Sequence, residues 1–244
     1  MFPTVRTLVR TTPSLHDEMW AGLRSDVPQT IGRISTKYLG SWPQSILHVG
    51  SGTGRDLSVL ARHVDECAGV DVRHSMIQYA KECHPGLTFH QVDLCTFDLW
   101  RQFHVVSCMD MTLSALHHDE DFDRALGRLY AHTHVNGYMV LELVNRPAAL
   151  AHDLPRTFTF RQLAGAAQHR YLGQKLVREI VWRTATGDGD EVHDHVEFRT
   201  TTAEEGLAAL ERHRFSVLDV FDNRNLEGTS GQGWSLVFVT QKTA

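Results

Sequence analysis

Three glycines at alternate positions follow a short apolar run in Leu47-His-Val-Gly50-Ser51-Gly52-Thr-Gly54. Lacking a Cβ, glycine lets the backbone approach a bound molecule closely and turn left-handed. A strand entering such a loop and a helix leaving it aim backbone N–H groups at an electron-rich ligand. The spacing bears on which ligand. Counting from Gly50 and Gly52, a dinucleotide-type G-x-G-x-x-G needs its third glycine at 55, where this chain has Arg55. G-x-G-x-G suits a smaller, less anionic ligand. The same glycines also serve as plain punctuation, and the loop alone does not decide between the two.

Two carboxylates follow at the right places. Asp71 closes the next apolar segment, Ala68-Gly-Val-Asp-Val72, and a carboxylate at a neighbouring strand end can accept both hydroxyls of a ribose. Asp93 ends the third, where it can accept from an exocyclic adenine amine. Either is equally a cap or turn residue when taken alone. Together with the glycine loop they point to a nucleoside lying across three strand ends.

The elements that must position these residues alternate. Strands are expected at 45–49, 68–72, 87–92, 103–109 and 138–144, with helices at 55–64, 76–83 and 122–134 between them. Strands of four to seven residues alternating with helices mean βαβ units and a parallel sheet. Upstream, Trp20, Leu23, Val27, Ile31, Ile34 and Tyr38 step by three or four residues, a helical pattern over 15–39 interrupted at Pro28. Downstream, two β-like segments between Tyr171 and Thr202 flank Gly187-Asp-Gly-Asp190, a hairpin signal. A helix from Ala203, N-capped by Thr202, and strands at 216–221 and 235–241 complete the chain. The parse is α/β: a Rossmann-like, seven-stranded, mostly parallel sheet over 45–145 and 203–244, an antiparallel insertion at 146–202, and an N-terminal helical lid over 1–44.

Composition narrows the class. The 244 residues carry 24 Lys+Arg against 29 Asp+Glu, a formal charge of −5, with 42% hydrophobic and 22% charged residues. No overall basic balance suggests nucleic acid, and no apolar run reaches the roughly 18 residues of a membrane helix. The N-terminus has no apolar h-region. Four well-spaced cysteines without a C-x-x-C pair read as reduced thiols, so a cytoplasmic protein is expected. Sixteen histidines include the pairs His132/His134 and His193/His195. They lack the spacing of a dedicated metal site, and none is expected.

Five segments, 47–54, 69–77, 91–94, 103–107 and 136–142, taken together resemble the class I S-adenosylmethionine-dependent methyltransferases. The resemblance covers roughly 44–145 in the family's order. It implies S-adenosylmethionine as cofactor, held by the Gly50-Ser51-Gly52-Thr-Gly54 loop with the glycines under its methionine part. Asp71 would take the ribose, Val72 and Met76 the adenine face, and Asp93 and Leu94 its edge, while Cys108 and Met109 would border the sulfonium. His48 stands where the family usually carries an acid that helps hold the cofactor's amino group. Just past the fourth strand, where the family's acceptor meets the methyl group, lie Asp110, His117 and His118. A histidine there can take a proton at neutral pH.

The insertion is similar to that of sugar and glycine N-methyltransferases, in which it covers a small-molecule acceptor and often forms a dimer contact. Arg146, Arg156, Arg161, Arg170 and Arg178 make it cationic, and Trp20, Phe158, Phe160, Tyr171 and Trp182 are candidates to line a pocket or to pack a core. The expectation is methyl transfer to an amine or hydroxyl of a small molecule, the amine favoured. Two alternatives remain: a cofactor-less scaffold of the same fold, kept open by His48, and a nicotinamide oxidoreductase, disfavoured by Arg55.

Overall fold

The computed structural model describes residues 12–22, 26–151, 156–160, 163–184, 192–228, 230 and 232–243. Its central strands are β1 (Ser45–Val49), β2 (Glu66–Asp71), β3 (Thr88–Gln91), β4 (Phe103–Cys108) and β5 (Thr133–Asn145). All run parallel in the order β3-β2-β1-β4-β5. β11 (Ser235–Lys242) runs antiparallel along the outer edge of β5, and β10 (Phe215–Phe221) pairs with it. This is the expected seven-stranded, mostly parallel sheet.

Every residue of β1 is buried, as a strand covered on both faces requires. Alternate strand residues feed two apolar layers. Leu47, Val106, Leu141 and Phe238 pack with α5 (Asp119–His132) and α7 (Ala203–Arg212). Ile46, Val105, Val140 and Val237 pack with α2 (Val27–Ile34), α3 (Arg55–Leu60) and α4 (His74–Cys83). At Gly206 a Cβ would stand 2.4 Å from Phe238, so only glycine lets α7 seat on the sheet. Thr202 caps α7 in a reciprocal pair: its hydroxyl accepts from Glu205 N–H at 3.2 Å and Glu205 accepts from its N–H at 3.0 Å.

Several expectations shift. Pro28 starts a helix rather than interrupting one, since its missing N–H costs nothing in a first turn. α1 (Pro13–Gly22) precedes it, and Ser35–Leu39 forms a π-helical turn. The helix after the glycine loop ends at Leu60. Asn136-Gly137 is a kink inside β5, with Asn136 at φ 65°, rather than a turn before it. A Cβ on Gly137 would meet the carbonyls of His134 and His104 at 2.9 and 3.0 Å.

The insertion holds four strands: β6 (Arg156–Phe160), β7 (Leu163–Leu172), β8 (Lys175–Thr184) and β9 (Val192–Thr201). Sequence alternation showed only the last two, because β7 reads Leu-Ala-Gly-Ala-Ala-Gln, small residues without a clear period. The Gly187–Asp190 hairpin signal lies outside the described residues. β9 pairs in parallel with Val144 and Asn145 of β5. β11 already holds the other edge at Val144, so β9 takes the edge β4 leaves after Leu141. α6 (Arg146–Ala151) bridges β5 to the insertion.

Histidines are spread through this framework. His132 donates through Nδ1 to the carbonyl of Arg128 at 2.7 Å and accepts the Leu99 N–H on Nε2 at 2.9 Å, stacked on Phe97. Burial lowers the pKa of His48, His90, His117, His132 and His134. Each therefore binds its proton more readily in the unfolded chain, and stability falls as pH drops below about 6.5. The urea midpoint should fall between pH 7.5 and 5.5, with a shallower slope in His132→Gln. An unchanged slope in that variant would remove His132 from the account.

Candidate active site

The glycine loop folds back over β2: the N–H groups of Gly50 and Ser51 both donate to the Val70 carbonyl, at 2.8 and 2.9 Å. Gly50, Gly52 and Gly54 have φ of +76°, +52° and +79°. Their surroundings differ. A Cβ on Gly50 would lie 2.1 Å from Thr112 Oγ1, and one on Gly54 2.5 Å from the Phe89 ring. Those two glycines let the loop pack on the protein. At Gly52 the nearest atom would be His16 Cε1, at 3.9 Å, and this is where a ligand can approach. The Ser51 hydroxyl is buried without a hydrogen bond and turned toward Gly69, so Ser51 offers the site only its backbone. α3 spans six residues, too short to add much of a dipole.

α1 lies across the loop. Thr53 donates to Asp17 Oδ1 at 2.9 Å, and Arg55 Nη1 to the Asp17 carbonyl at 3.3 Å.

Asp71, 3% exposed, is surrounded by donors. Oδ1 accepts from the N–H and Nε of Arg73 at 2.9 and 3.1 Å; Oδ2 accepts from Gly52 N–H at 3.0 Å and Arg73 Nη2 at 3.1 Å. Val72 beside it is 58% exposed, and Met76 is fully buried in α4. Asp93 is exposed at the end of β3, with Oδ1 accepting from Cys95 N–H at 2.7 Å and half-buried Leu94 next to it. Neighbouring strands lie about 4.8 Å apart, so this row from β1 to β3 extends about 10 Å, the reach of a nucleoside.

At the end of β4 the side chains turn inward. Cys108 and Met109 are fully buried in opposite apolar layers, so they face the strand end with backbone only. Burial pushes the Cys108 thiol up to about 12, which keeps it protonated and non-nucleophilic. Asp110 and Met111 follow in left-handed backbone, φ 54° and 57°.

A buried ion cluster that sequence reasoning missed pins this turn. Glu142 Oε2 accepts the Asp110 N–H at 2.8 Å, and Oε1 accepts the Ser235 hydroxyl at 2.6 Å. Arg224 bonds Glu142 through Nε at 2.9 Å, Asp26 through Nη1 at 2.8 Å, and both Asp110 and Glu142 through Nη2. Burial opposes the Arg224 charge, but Glu142 and Asp110 outweigh it and raise its pKa. The available signal was Glu142 itself, a lone carboxylate inside Tyr138–Val144. Arg224 sits in a polar loop with no pattern around it. Asp110, expected as a candidate base, instead spends its carboxylate on Arg224.

The two histidines part company. His118 is the N-cap residue of α5. His117 faces the insertion, its Nε2 3.8 Å from Glu197 Oε2 and its Nδ1 buried without a hydrogen bond. Burial lowers its pKa against the opposing pull of Glu197. His195 and Lys175 hold Glu197 at 3.2 and 3.4 Å. His48 is buried and neutral, Nδ1 2.8 Å from the Ser107 hydroxyl. In the insertion Trp182 is core, donating to Asp194 at 2.7 Å, and Arg146 is paired with Glu205. Tyr171 and Trp234 pack with Met111 on the apolar cluster beside the β4 turn. The side chains of Trp20, Arg156, Phe158, Phe160 and Arg161 lie outside the described residues.

The model of a methyltransferase domain matches residues 46–137, the stretch from β1 into β5 that carries this row of strand ends. Over this stretch the chain is similar to methyltransferase domains. A dTDP-3-amino-3,6-dideoxy-α-D-glucopyranose N,N-dimethyltransferase of Streptomyces fradiae is 33% identical over 98 residues, 40% of this chain and 38% of that one. A dTDP-3-amino-3,4,6-trideoxy-α-D-glucopyranose N,N-dimethyltransferase of Streptomyces venezuelae is 30% identical over 98 residues, 40% and 41% of the two. The chain thus spans about two fifths of the length of these relatives. The fold likeness runs further. DesVI of Streptomyces venezuelae superposes with a TM-score of 0.80 at 22% identity, over 95% of this chain and 98% of that one. An S-adenosylmethionine-dependent methyltransferase from Clostridium acetobutylicum gives 0.81 at 12% identity, over 95% and 97%.

The cofactor of such a domain is S-adenosylmethionine, and the residues present fit it. The open face at Gly52, the buried Asp71 carboxylate, exposed Val72 and Asp93 stand in the sequence of a methionine tail, a ribose and an adenine. Arg224→Met should destabilise the fold by about 3–5 kcal/mol, the cost of leaving the buried Glu142 carboxylate uncompensated, read by urea unfolding. Adding Glu142→Gln should restore part of that. A single-variant loss below about 1 kcal/mol, the scale of a surface pair, would make the cluster peripheral.

Proposed function

We propose that this chain transfers a methyl group from S-adenosylmethionine to the amino group of a small acceptor, a deoxysugar amine carried on a nucleotide. The observation that carries the reading is the row Gly52, Asp71, Val72 and Asp93, lying inside the matched domain. The acceptor class is taken from the names of the relatives, whose sequence likeness to this chain extends over 98 residues. The bound cofactor supplies a methyl group on a positively charged sulfur, ready for in-line displacement.

The chain's own residues bind and align. Gly52 lets the backbone approach the methionine part, Asp71 takes the ribose hydroxyls, and Asp93 meets the adenine amine. Asp110, Met111 and the 113–115 turn, pinned through Glu142 and Arg224, form the floor on which the amine is set against the methyl group. Alignment of this kind supplies much of the rate of a displacement. An acceptor arrives as an ammonium and must lose a proton. His117, neutral at physiological pH and backed by Glu197, is the group we assign to take it. The first helix and the insertion close over the acceptor and exclude water.

Calorimetry with S-adenosylmethionine, S-adenosylhomocysteine and NAD tests the cofactor: binding of the first two alone is expected. Asp71→Ala should weaken that binding by about 1.5–3 kcal/mol, as for a charged acceptor; unchanged affinity would remove the ribose assignment. Mass spectrometry of dTDP-linked 3-amino- and 4-amino-deoxysugars incubated with the chain and cofactor tests the acceptor. A gain of one or two methyl groups is expected; modification of hydroxyl but not amine acceptors would overturn the amine. With a working acceptor, His117→Ala should lower the rate most near neutral pH, where the acceptor is still an ammonium and His117 is unprotonated, and least at acidic pH, where His117 itself carries a proton; His118→Ala should leave the profile unchanged.

A further inference from the structure

We propose that Arg73 is a latch on the Asp71 carboxylate, one that a ribose must open, so that this side chain sets how tightly the chain holds its cofactor. The proposal rests on the ribose role given to Asp71 above. A carboxylate offers about four acceptor positions. In Asp71 all four are engaged: two by the backbone N–H groups of Gly52 and Arg73, two by the Arg73 guanidinium.

The two sets are not equally replaceable. The backbone donors belong to the glycine loop and to the turn into α4, and they stay while the fold stays. The guanidinium is on a flexible side chain 34% exposed, against 3% for Asp71, and it covers the way in from solvent. Its Nε and Nη2 form a two-pronged fork on the two oxygens. A cis-diol brings two O–H donors to the same two oxygens. The exchange is thus one for one in number, yet it replaces bonds charged on both sides by bonds in which only the carboxylate carries charge, and it gives up the Arg73–Asp71 ion pair. The carboxylate is held ready in the free chain, at a cost in affinity that the ligand meets when Arg73 leaves.

The test is calorimetry of S-adenosylhomocysteine and of its 2′,3′-dideoxy analogue with the full chain, Arg73→Met and Arg73→Lys. Arg73→Met should bind S-adenosylhomocysteine about five- to tenfold tighter, the gain from removing one bidentate competitor. Binding of the dideoxy analogue should not change. Arg73→Lys, which keeps the charge but not the fork, should fall between, and it decides the matter if thermal melting shows Arg73→Met unfolded. Equal or weaker binding of S-adenosylhomocysteine by the variants would overturn the latch, making Arg73 a bystander or a ligand contact. Equal tightening for both ligands would also overturn it, because the gain would not pass through the diol. Failure of wild type and both variants to bind would overturn the cofactor reading itself. Binding by the variants alone would support the latch in its strongest form.

Discussion

The guanidinium of Arg224 holds the turn after β4, the strand β5 and the head of α2 together. It sits among three carboxylates from separate segments: Asp26 at the head of α2, Asp110 just past β4, and Glu142 inside β5. Thr30 and Arg33 of α2 bind its carbonyl at 2.8 and 3.5 Å, so the loop bearing it is gripped at both ends. A carboxylate as deep as Glu142, 2% exposed, has to be paired or neutralised. That requirement draws the 222–234 loop down onto the sheet. Once there, the cluster holds Asp110 and Met111 in left-handed backbone, a conformation non-glycine residues seldom keep unaided. The strand end, the first helices and the C-terminal loop are thereby one unit.

The row of strand ends from β1 to β3 is arranged on a different principle. There backbone dominates: two glycines fill van der Waals contacts with Thr112 and Phe89, and the third stands open. The single buried charge, Asp71, is held by main-chain N–H groups and by its neighbour Arg73. A surface built this way is insensitive to most side-chain changes around it and depends on a few small residues. The Arg224 cluster has the opposite character, with side chains from four segments meeting in pairs.

That contrast explains what could be read from the chain. The alternation of short apolar runs with helices disclosed the sheet, and G-x-G-x-G with Asp71 and Asp93 disclosed the row of strand ends, because those features are local. Arg224 could not be found, since its meaning lies in partners 82, 114 and 198 residues away. Asp110 was read as a possible base from its position, which carries no sign of the ion pair that occupies it. Cys108 and Met109 mark the right strand end, but their side chains alternate into the two core layers. β7 escaped notice because a strand of small residues inside a four-stranded sheet needs no hydrophobic period of its own, and β6 because five residues, Arg156-Thr-Phe-Thr-Phe160, are too few to establish one.

The same division shows in the likenesses to other proteins. Sequence identity of about 30% is confined to some 98 residues, while the fold superposes over 95% of the chain. A cofactor common to a family constrains the residues that touch it, through close backbone approach and a fixed hydrogen-bond pattern, and those constraints survive as motifs. The covering elements must only be a helix across the loop and a sheet hooked to the end of β5. β9 meets that need with two residue pairs at Val144 and Asn145, and the rest of the insertion pairs within its own four strands. The seam between the two parts lies where His117 of the core faces Glu197 of the insertion. That contact, with the two residue pairs of β9, ties the four-stranded insertion to the central sheet.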